Sequence, residues 1–206
     1  MKLTDLTVTG FLEKTYGKDP VPGGGSVSAL CGALAASLGE MVTALTIGRK
    51  KYADVEEDML RLAPEMEEVR NKFVAFIDED AAAYQVVFDA FKLPKETDEE
   101  KVARKEAIQK ATLAAALVPL EVARTAVGIM DAIQEIAVKG NQNAITDCCV
   151  AMMCARTAAF GAILNVRINL AGLDDKVVAK ELEDECMALH DEAEIKEAAL
   201  LNTVTI

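Results

Sequence analysis

The stretch PVPGGGSVSALCGALAASLGEMVTALTI, residues 20–47, gives the clearest indication of how this chain folds. It passes from prolines through three consecutive glycines into a long run of small and apolar residues, and Ser26 has the position of a helix N-cap. Small side chains then recur on one helical face: Ser28, Gly32, Ala36, Gly39 and Thr43. Such a ridge is typical of a helix that packs at close range, and we expect this helix to end at Ile47, before Gly48.

The overall composition favours the same architecture. Hydrophobic residues make up 51% of the 206 residues, aromatic residues make up 4%, and tryptophan is absent. A core that is rich in alanine and poor in aromatic residues suits closely packed helices better than a β-sandwich. We therefore predict a single all-α domain over residues 1–206, an antiparallel bundle of long helices in layers.

Helical periodicity dominates the rest of the chain. The predicted helices span residues 4–16, 26–47, 63 or 64 to 92, 97–139, 144–171, and 174 or 175 to 202. The β-branched tail, residues 201–206, is the best strand candidate but is too short to build a sheet. A straight helix over residues 97–139 would be about 64 Å long, so we expect Pro119 to kink it, and the elongated body favours a homodimer.

Charge and histidine content exclude several functions. The formal net charge of −12 disfavours nucleic acid as a partner, because phosphate contacts need a basic surface. The single histidine, His190, lies in an acidic run, which argues against a histidine-based metal site or a catalytic triad. We therefore expect no metal and no permanently bound cofactor.

The cysteines and the apolar segments indicate a compartment. Five cysteines without a C-x-x-C pair suit reduced thiols, and the N-terminus lacks the apolar core of a signal peptide. The apolar stretch 23–39 is rich in small and polar residues and is followed by Glu40, so we expect no membrane contact. These features predict a cytoplasmic protein.

The sharpest candidate for chemistry is an acid within an apolar stripe. At about 100° per residue, Asp80 lies on the same helical face as Phe73, Ile77 and Tyr84. A carboxyl group on an inward face needs hydrogen-bond partners or a proton. It is either a general acid/base with a shifted pKa or a buried acid that a helix N-terminus or a lysine satisfies.

Three further segments carry polar or flexible residues. The loop Pro22-Gly23-Gly24-Gly25-Ser26 lets a ligand approach a helix N-terminus, or serves only close packing. Asn141, Asn143 and Asp147 surround a helix start, where capping alone would explain them. On the same helix face as Asp147 lie Asn165 and Asn169. Asp147 and Asn165 would be about 27 Å apart, too far for one small site in one subunit.

The basic run Arg49-Lys50-Lys51 follows a predicted helix end. It either compensates the helix dipole or binds a carboxylate on an otherwise acidic protein.

Taken together, these segments resemble the cyclodeaminase family, found as the C-terminal part of formiminotransferase-cyclodeaminases and as separate chains. The matching stretches are residues 20–29, 41–48, 80–84, 118–120, 140–147 and 161–170. Residues 143–146 depart from the family in having less serine. The resemblance implies an all-helical dimer that converts 5-formiminotetrahydrofolate to 5,10-methenyltetrahydrofolate and ammonia; the family also contains methenyltetrahydrofolate cyclohydrolases.

With this resemblance, roles can be assigned as hypotheses. Asp80 is the expected acid/base and Tyr84 its orienting partner, while Asp147 and the loop 22–26 hold the pterin or the reacting amidine. The remaining binding candidates are Arg49, Lys50 and Lys51 for the glutamate tail, with Asn141 and Asn143. Two alternatives stay open, a methenyltetrahydrofolate cyclohydrolase and a non-catalytic helical scaffold.

Overall fold

The computed structural model describes residues 2–204. Within that range the chain forms seven α-helices: α1 Val8–Thr15, α2 Gly24–Thr46, α3 Glu56–Phe91, α4 Asp98–Gly128, α5 Met130–Lys139, α6 Ile145–Leu170 and α7 Lys176–Leu201. Short 3-10 helices span Leu3–Asp5, Lys50–Val55 and Gln142–Ala144. No strand occurs among the described residues, so the all-α prediction is confirmed. Of the predicted strand tail, Thr205 and Ile206 lie outside the described residues.

Four long helices form an antiparallel bundle, in which α2 packs between α3 and α6, and α4 closes the fourth side. The side-chain contacts give the directions. Ser26 near the start of α2 contacts the late α3 residue Ile77, and Glu40 pairs with the earlier Arg70. Helix α7 packs along the outside of α6. The long antiparallel helices are the architecture that the sequence predicts.

The small-residue ridge of α2 is what allows this close packing. A Cβ atom on Gly32 would overlap the ring of Phe73 on α3, and one on Gly39 would lie 2.9 Å from Met66 Sδ. Facing α6, the hydroxyl of Ser28 occupies the space that a Cβ on Gly161 would need. Substituting these glycines would push the helices apart, because interiors packed this densely tolerate few added atoms.

Several helix boundaries differ from the sequence prediction. Helix α3 begins at Glu56, before the predicted 63 or 64, and Pro64 is accommodated inside it. The buried side chains of Met59 and Leu62 explain the earlier start. The helix predicted over 97–139 is divided at Ile129 into α4 and α5, and Pro119 lies inside α4. A capping box formed by Thr97 and Glu100 begins α4, and Asp175 is the N-cap of α7.

Three helical stretches are apolar and long enough to cross a membrane: Gly24–Thr46, Asp98–Lys139 and Gln142–Leu170. Each of these stretches contains charged residues, among them Glu40, Glu121 and Arg156. Between 50% and 61% of the residues in these windows are buried inside the protein. Packing within the chain therefore accounts for half or more of each window.

Candidate active site

A cavity of about 340 Å³ lies at the N-terminal end of α2. Its lining residues are Pro20, Val21, Gly23, Gly24, Gly25, Asp80, Ala83, Tyr84, Val87, Ala115, Asn165, Ile168 and Asn169. They come from the loop before α2, from the first turn of α2, and from α3, α4 and α6. The cavity exists because α2 begins at Gly24 while α3 and α4 continue for several turns beyond that level, so one corner of the bundle is empty.

Asp80 is the only ionisable carboxyl group among the described residues that line this cavity. Its Oδ2 accepts a hydrogen bond from the Ser26 hydroxyl at 3.0 Å. Burial raises the pKa of Asp80 above its ordinary value of 3.8, and hydrogen bonds from the hydroxyl and the backbone amide of Ser26 oppose part of that rise. The site therefore contains a carboxyl group that gains and loses a proton more readily near neutrality than an exposed aspartate does.

The glycines of the loop make room for this carboxyl group. A Cβ atom on Gly25 would overlap the carboxylate of Asp80. The N-cap of α2 is Gly23, not Ser26 as predicted, and Ser26 lies in the first turn with its hydroxyl directed at Asp80 and at the Ile77 carbonyl. The first backbone amides of a helix have no intrahelical acceptor, so this turn offers donors beside the carboxyl group.

Tyr84 lines the same cavity, but no hydrogen bond joins it to Asp80 in this structure. Its side chain is 41% exposed and its ring stacks on Phe88, with centroids 6.4 Å apart. The orienting contact that the sequence assigns to Tyr84 is made by Ser26. Pro22 is buried in the loop just outside the cavity wall.

A second polar cluster lies at the opposite end of α2. The Thr46 hydroxyl accepts the backbone amide of Asn141 at 2.9 Å, and Asn141 Nδ2 donates to the Leu45 carbonyl at 3.1 Å. Asn141 Oδ1 accepts the Tyr52 hydroxyl at 3.3 Å and the Asn143 amide at 3.1 Å. The side chain of Asn141 is thus engaged in joining the end of α2 to the start of α6.

The other predicted site residues also lie at that far end. Asp147 is half-buried in the first turn of α6, and Asn143 is exposed just before it. The exposed residues Arg49, Lys50 and Lys51 follow the end of α2. From Gly25 to Thr46 the axis of α2 is about 32 Å long. Within one chain, the structure therefore brings Gly23 to Ser26, Asp80 and Tyr84 together but keeps the basic run, Asn141, Asn143 and Asp147 apart from them.

Other titratable groups lie outside both clusters. The ring of His190 stacks on Phe160 with centroids 4.2 Å apart, between α6 and α7. All five cysteines are free thiols. Among residues 2–204, no group of three or more histidine, cysteine or acidic side chains is arranged to hold a metal ion.

Two cavity residues were seen in the sequence but not assigned to the site. Asn165 and Asn169 lie one helical turn apart on α6 and face Gly24 and Ala115. Their i, i+4 spacing was a usable signal. What the sequence could not give is the register between α6 and α2, which places them beside Asp80.

Comparison with known proteins gives the family. The profile described as formiminotransferase-cyclodeaminase matches residues 7–188. A methenyltetrahydrofolate cyclohydrolase from Methylorubrum extorquens is 39% identical over 198 residues, which are 96% of this chain and 95% of the relative. A formimidoyltransferase-cyclodeaminase from Mus musculus is 35% identical over 202 residues, 98% of this chain.

The chain spans only 37% of the length of that mouse relative. A crystal structure of formiminotetrahydrofolate cyclodeaminase from Thermotoga maritima has the same fold, with a TM-score of 0.83, 28% identity and coverage of 98% of both chains. The profile match over most of the chain, the relatives and this structure agree, and the chain belongs to the formiminotransferase-cyclodeaminase family.

Proposed function

We propose that this chain converts 5-formiminotetrahydrofolate to 5,10-methenyltetrahydrofolate and ammonia. The observation that carries the proposal is Asp80, a half-buried carboxyl group with a raised pKa in a cavity whose described wall has no basic side chain. The family relatives named above support folate as the substrate class. The folate derivative is the substrate, and the proposal includes no permanently bound cofactor.

The reaction needs one proton to move between two nitrogens. N10 attacks the formimino carbon, a new C–N10 bond forms, and N10 gives up its proton. The bond from that carbon to the amino nitrogen then breaks, and ammonia leaves with the proton. Asp80 accepts the proton from N10 as the base and returns it to the departing nitrogen as the acid, a role for which a raised pKa is suited.

The charge of the site matches the charge of the reacting group. A protonated formimino group and the methenyl product are both cationic amidines, and the carboxylate of Asp80 stabilises positive charge in a partly desolvated cavity. The first-turn amides at Gly24 and Gly25 remain available for acceptor atoms of the pterin.

A homodimer is part of the proposal, because α2 and α6 present an uncharged outer surface. The exposed apolar side chains of this α2/α6 face are Leu34, Met41, Leu45, Val150, Met153, Leu164 and Ile168. The face measures roughly 35 by 20 Å, or about 700 Å², comparable with the roughly 800 Å² that each partner buries in a stable complex. On a chain of net charge −12, an uncharged surface of this size favours a second copy as its occupant.

A two-fold axis through the middle of that face would also explain why the predicted site residues lie at both ends of α2 within one chain. It would place the start of α2 in one subunit beside the end of α2 in the other, since the two helices would run antiparallel. Arg49, Lys50 and Lys51 of one copy would then approach the cavity of the other and receive the glutamate carboxylates. This arrangement joins the residues that are about 32 Å apart within one chain.

The alternative function is hydrolysis of methenyltetrahydrofolate to 10-formyltetrahydrofolate. The Methylorubrum extorquens relative, 39% identical over nearly its whole length, favours it. Water then attacks the same amidine carbon, and Asp80 serves as the base. The cavity suits both reactions because they share the reacting carbon.

A two-substrate assay tests the proposal. Purified protein is given each folate separately, and ammonia release and methenyl absorbance are followed. Ammonia release at a higher kcat/KM than methenyl loss supports cyclodeamination, and the reverse order supports the hydrolase. The scaffold alternative predicts neither turnover nor folate binding, so measurable binding of either folate excludes it.

A further inference from the structure

The cavity wall presents few polar side chains to a ligand. Among its described lining residues only Asp80, Tyr84, Asn165 and Asn169 carry polar side chains, and none of the lining residues is a lysine, arginine or histidine. A carboxylate is an acceptor only, and a carboxamide carries one acceptor oxygen and two amide hydrogens. The orientation of the two asparagines therefore decides which ligand groups the wall can recognise.

The orientation of Asn165 is fixed by its own helix. Its Nδ2 donates to the Gly161 carbonyl at 2.8 Å, which turns Oδ1 away from the helix backbone. The carboxamide lies over Gly24, where a Cβ atom would be 2.9 Å from Nδ2 and 3.5 Å from Oδ1. Asp80 lies in the same way over Gly25. The carboxamide and the carboxylate thus flank one turn of α2, and Asn165 Oδ1 accepts no hydrogen bond from residues 2–204.

Asn169 is held by a carbonyl that Pro119 leaves free. Proline has no amide hydrogen, so the Ala115 carbonyl, four residues earlier in α4, has no donor at position 119. Asn169 Nδ2 occupies that place at 3.2 Å and also donates to the Asn165 carbonyl at 2.8 Å. With both amide hydrogens used, Oδ1 is the remaining polar group of this cavity residue, and the backbone of Asn165 is held in position.

We propose that Asn165 is a specificity-determining residue, whose Oδ1 accepts a hydrogen bond from the formimino nitrogen, and that Asn169 is its positioning residue. The inference rests on the function proposed above. The 5-formimino substrate carries N–H bonds on the nitrogen that will leave, whereas the methenyl carbon is bonded only to N5, N10 and hydrogen. Both cations benefit from the charge of Asp80, but only the first can donate to Asn165 in the bound ground state.

Steady-state kinetics of Asn165→Leu on both folates test the proposal. We expect KM for 5-formiminotetrahydrofolate to rise about tenfold or more, because a hydrogen bond from a charged donor is lost. KM for methenyltetrahydrofolate should change less than about twofold. Asn169→Leu should change the same KM in the same direction, by a smaller factor, because Asn169 acts through Asn165.

Asn165→Asp is the matched variant, since it keeps an oxygen acceptor but adds a carboxylate beside Asp80. KM for the formimino substrate should stay closer to the wild-type value than in Asn165→Leu. The acid limb of the pH–rate profile should move to higher pH, because a neighbouring negative charge raises the pKa of Asp80. An unmoved limb would show that the side chain at position 165 is too far from Asp80 to share a ligand with it.

Three outcomes overturn the inference. Equal changes of KM on the two folates in Asn165→Leu, or an unchanged KM for the formimino substrate, show that Asn165 does not read the N–H bonds. A wild-type protein that acts on the methenyl substrate alone overturns the proposed cyclodeamination, and this inference with it. Turnover of neither folate by the wild type instead overturns the proposed function itself.

Discussion

A cluster of polar side chains lies at each end of α2. The two clusters contain similar residue types but differ in whether their hydrogen-bonding groups all have partners within the chain. At the far end, Thr46, Tyr52 and Asn141 satisfy one another and the neighbouring backbone. At the cavity end, Asp80 has a raised pKa and the carboxamide oxygen of Asn165 accepts no hydrogen bond from the described residues. A polar cluster whose hydrogen bonds are complete holds helices together, whereas a cluster with unpaired hydrogen-bonding groups is available to a ligand.

The largest effect is expected for Asp80→Asn. Turnover should fall by roughly 10² to 10⁴, the usual contribution of a general acid/base. Glu79→Gln is the matched control, because Glu79 is exposed on the same helix and should leave turnover near the wild-type value. A loss of less than about tenfold in a folded Asp80→Asn protein would remove Asp80 from the mechanism.

The same substitution should change stability with pH. Because the folded-state pKa of Asp80 is raised, the folded protein binds more protons than the unfolded chain between the two pKa values. The free energy of unfolding of the wild type therefore falls as pH rises through that window. Asp80→Asn should lack this decline, so its stability relative to the wild type should improve from acidic to neutral pH in denaturant titrations. A constant difference across pH would contradict the raised pKa.

Gly25→Ala tests the position of the Asp80 carboxyl group at the cavity end. The added methyl group overlaps the Asp80 carboxylate, so we expect turnover to fall about tenfold or more as the carboxyl group is displaced, a cost typical of small misplacements. Gly128→Ala is the control, because no atom lies within 4 Å of its added Cβ. It should keep turnover and stabilise the protein by up to about 1 kcal/mol, measured by thermal unfolding. Equal activity in the two variants would argue against the placement of Asp80.

Thr46→Val addresses the far end. It leaves the Asn141 amide without an acceptor, so we expect a loss of about 1 to 3 kcal/mol in the free energy of unfolding, with turnover of the folded protein unchanged. Thr15→Val is the matched control, since the Thr15 hydroxyl also bonds a carbonyl four residues earlier but near the surface. A fall in turnover without a fall in stability would mean that the far-end cluster works directly on the ligand.

The smallest effect concerns the exposed basic run. Lys50→Gln with Lys51→Gln should raise KM for the folate a few-fold and leave kcat unchanged, because exposed charge pairs contribute little and are screened by salt. The same KM should rise with ionic strength in the wild type but not in the double variant.

Met41→Glu, which charges the α2/α6 face, should produce monomers in light scattering and the same KM increase. A monomeric variant with the wild-type KM would separate the basic run from the cavity.

Helix periodicity was sufficient to find Asp80, because an acidic residue on the same helix face as the buried Phe73 and Ile77 is an exception to the apolar pattern of that face. It was not sufficient to find its partner, since Ser26 has the residue type of an N-cap and is close to the helix start. The partner depends on the register between α2 and α3, which Gly32 and Phe73 set through packing. Sequence reasoning along one chain has no access to such registers, and for the same reason it grouped Asn141 and Asp147 with residues at the other end of the bundle.

The late start of α2 has a consequence for how this site can change. The cavity occupies the volume that one or two more turns of α2 would fill, each turn being about 5.4 Å long. Its capacity is therefore governed by chain length between α1 and Gly24, a segment outside the packed ridge. Insertions or deletions in this segment would change the volume of the cavity and leave the contacts between the long helices in place. Relatives that bind different ligands therefore need differ little in the residues of their hydrophobic cores.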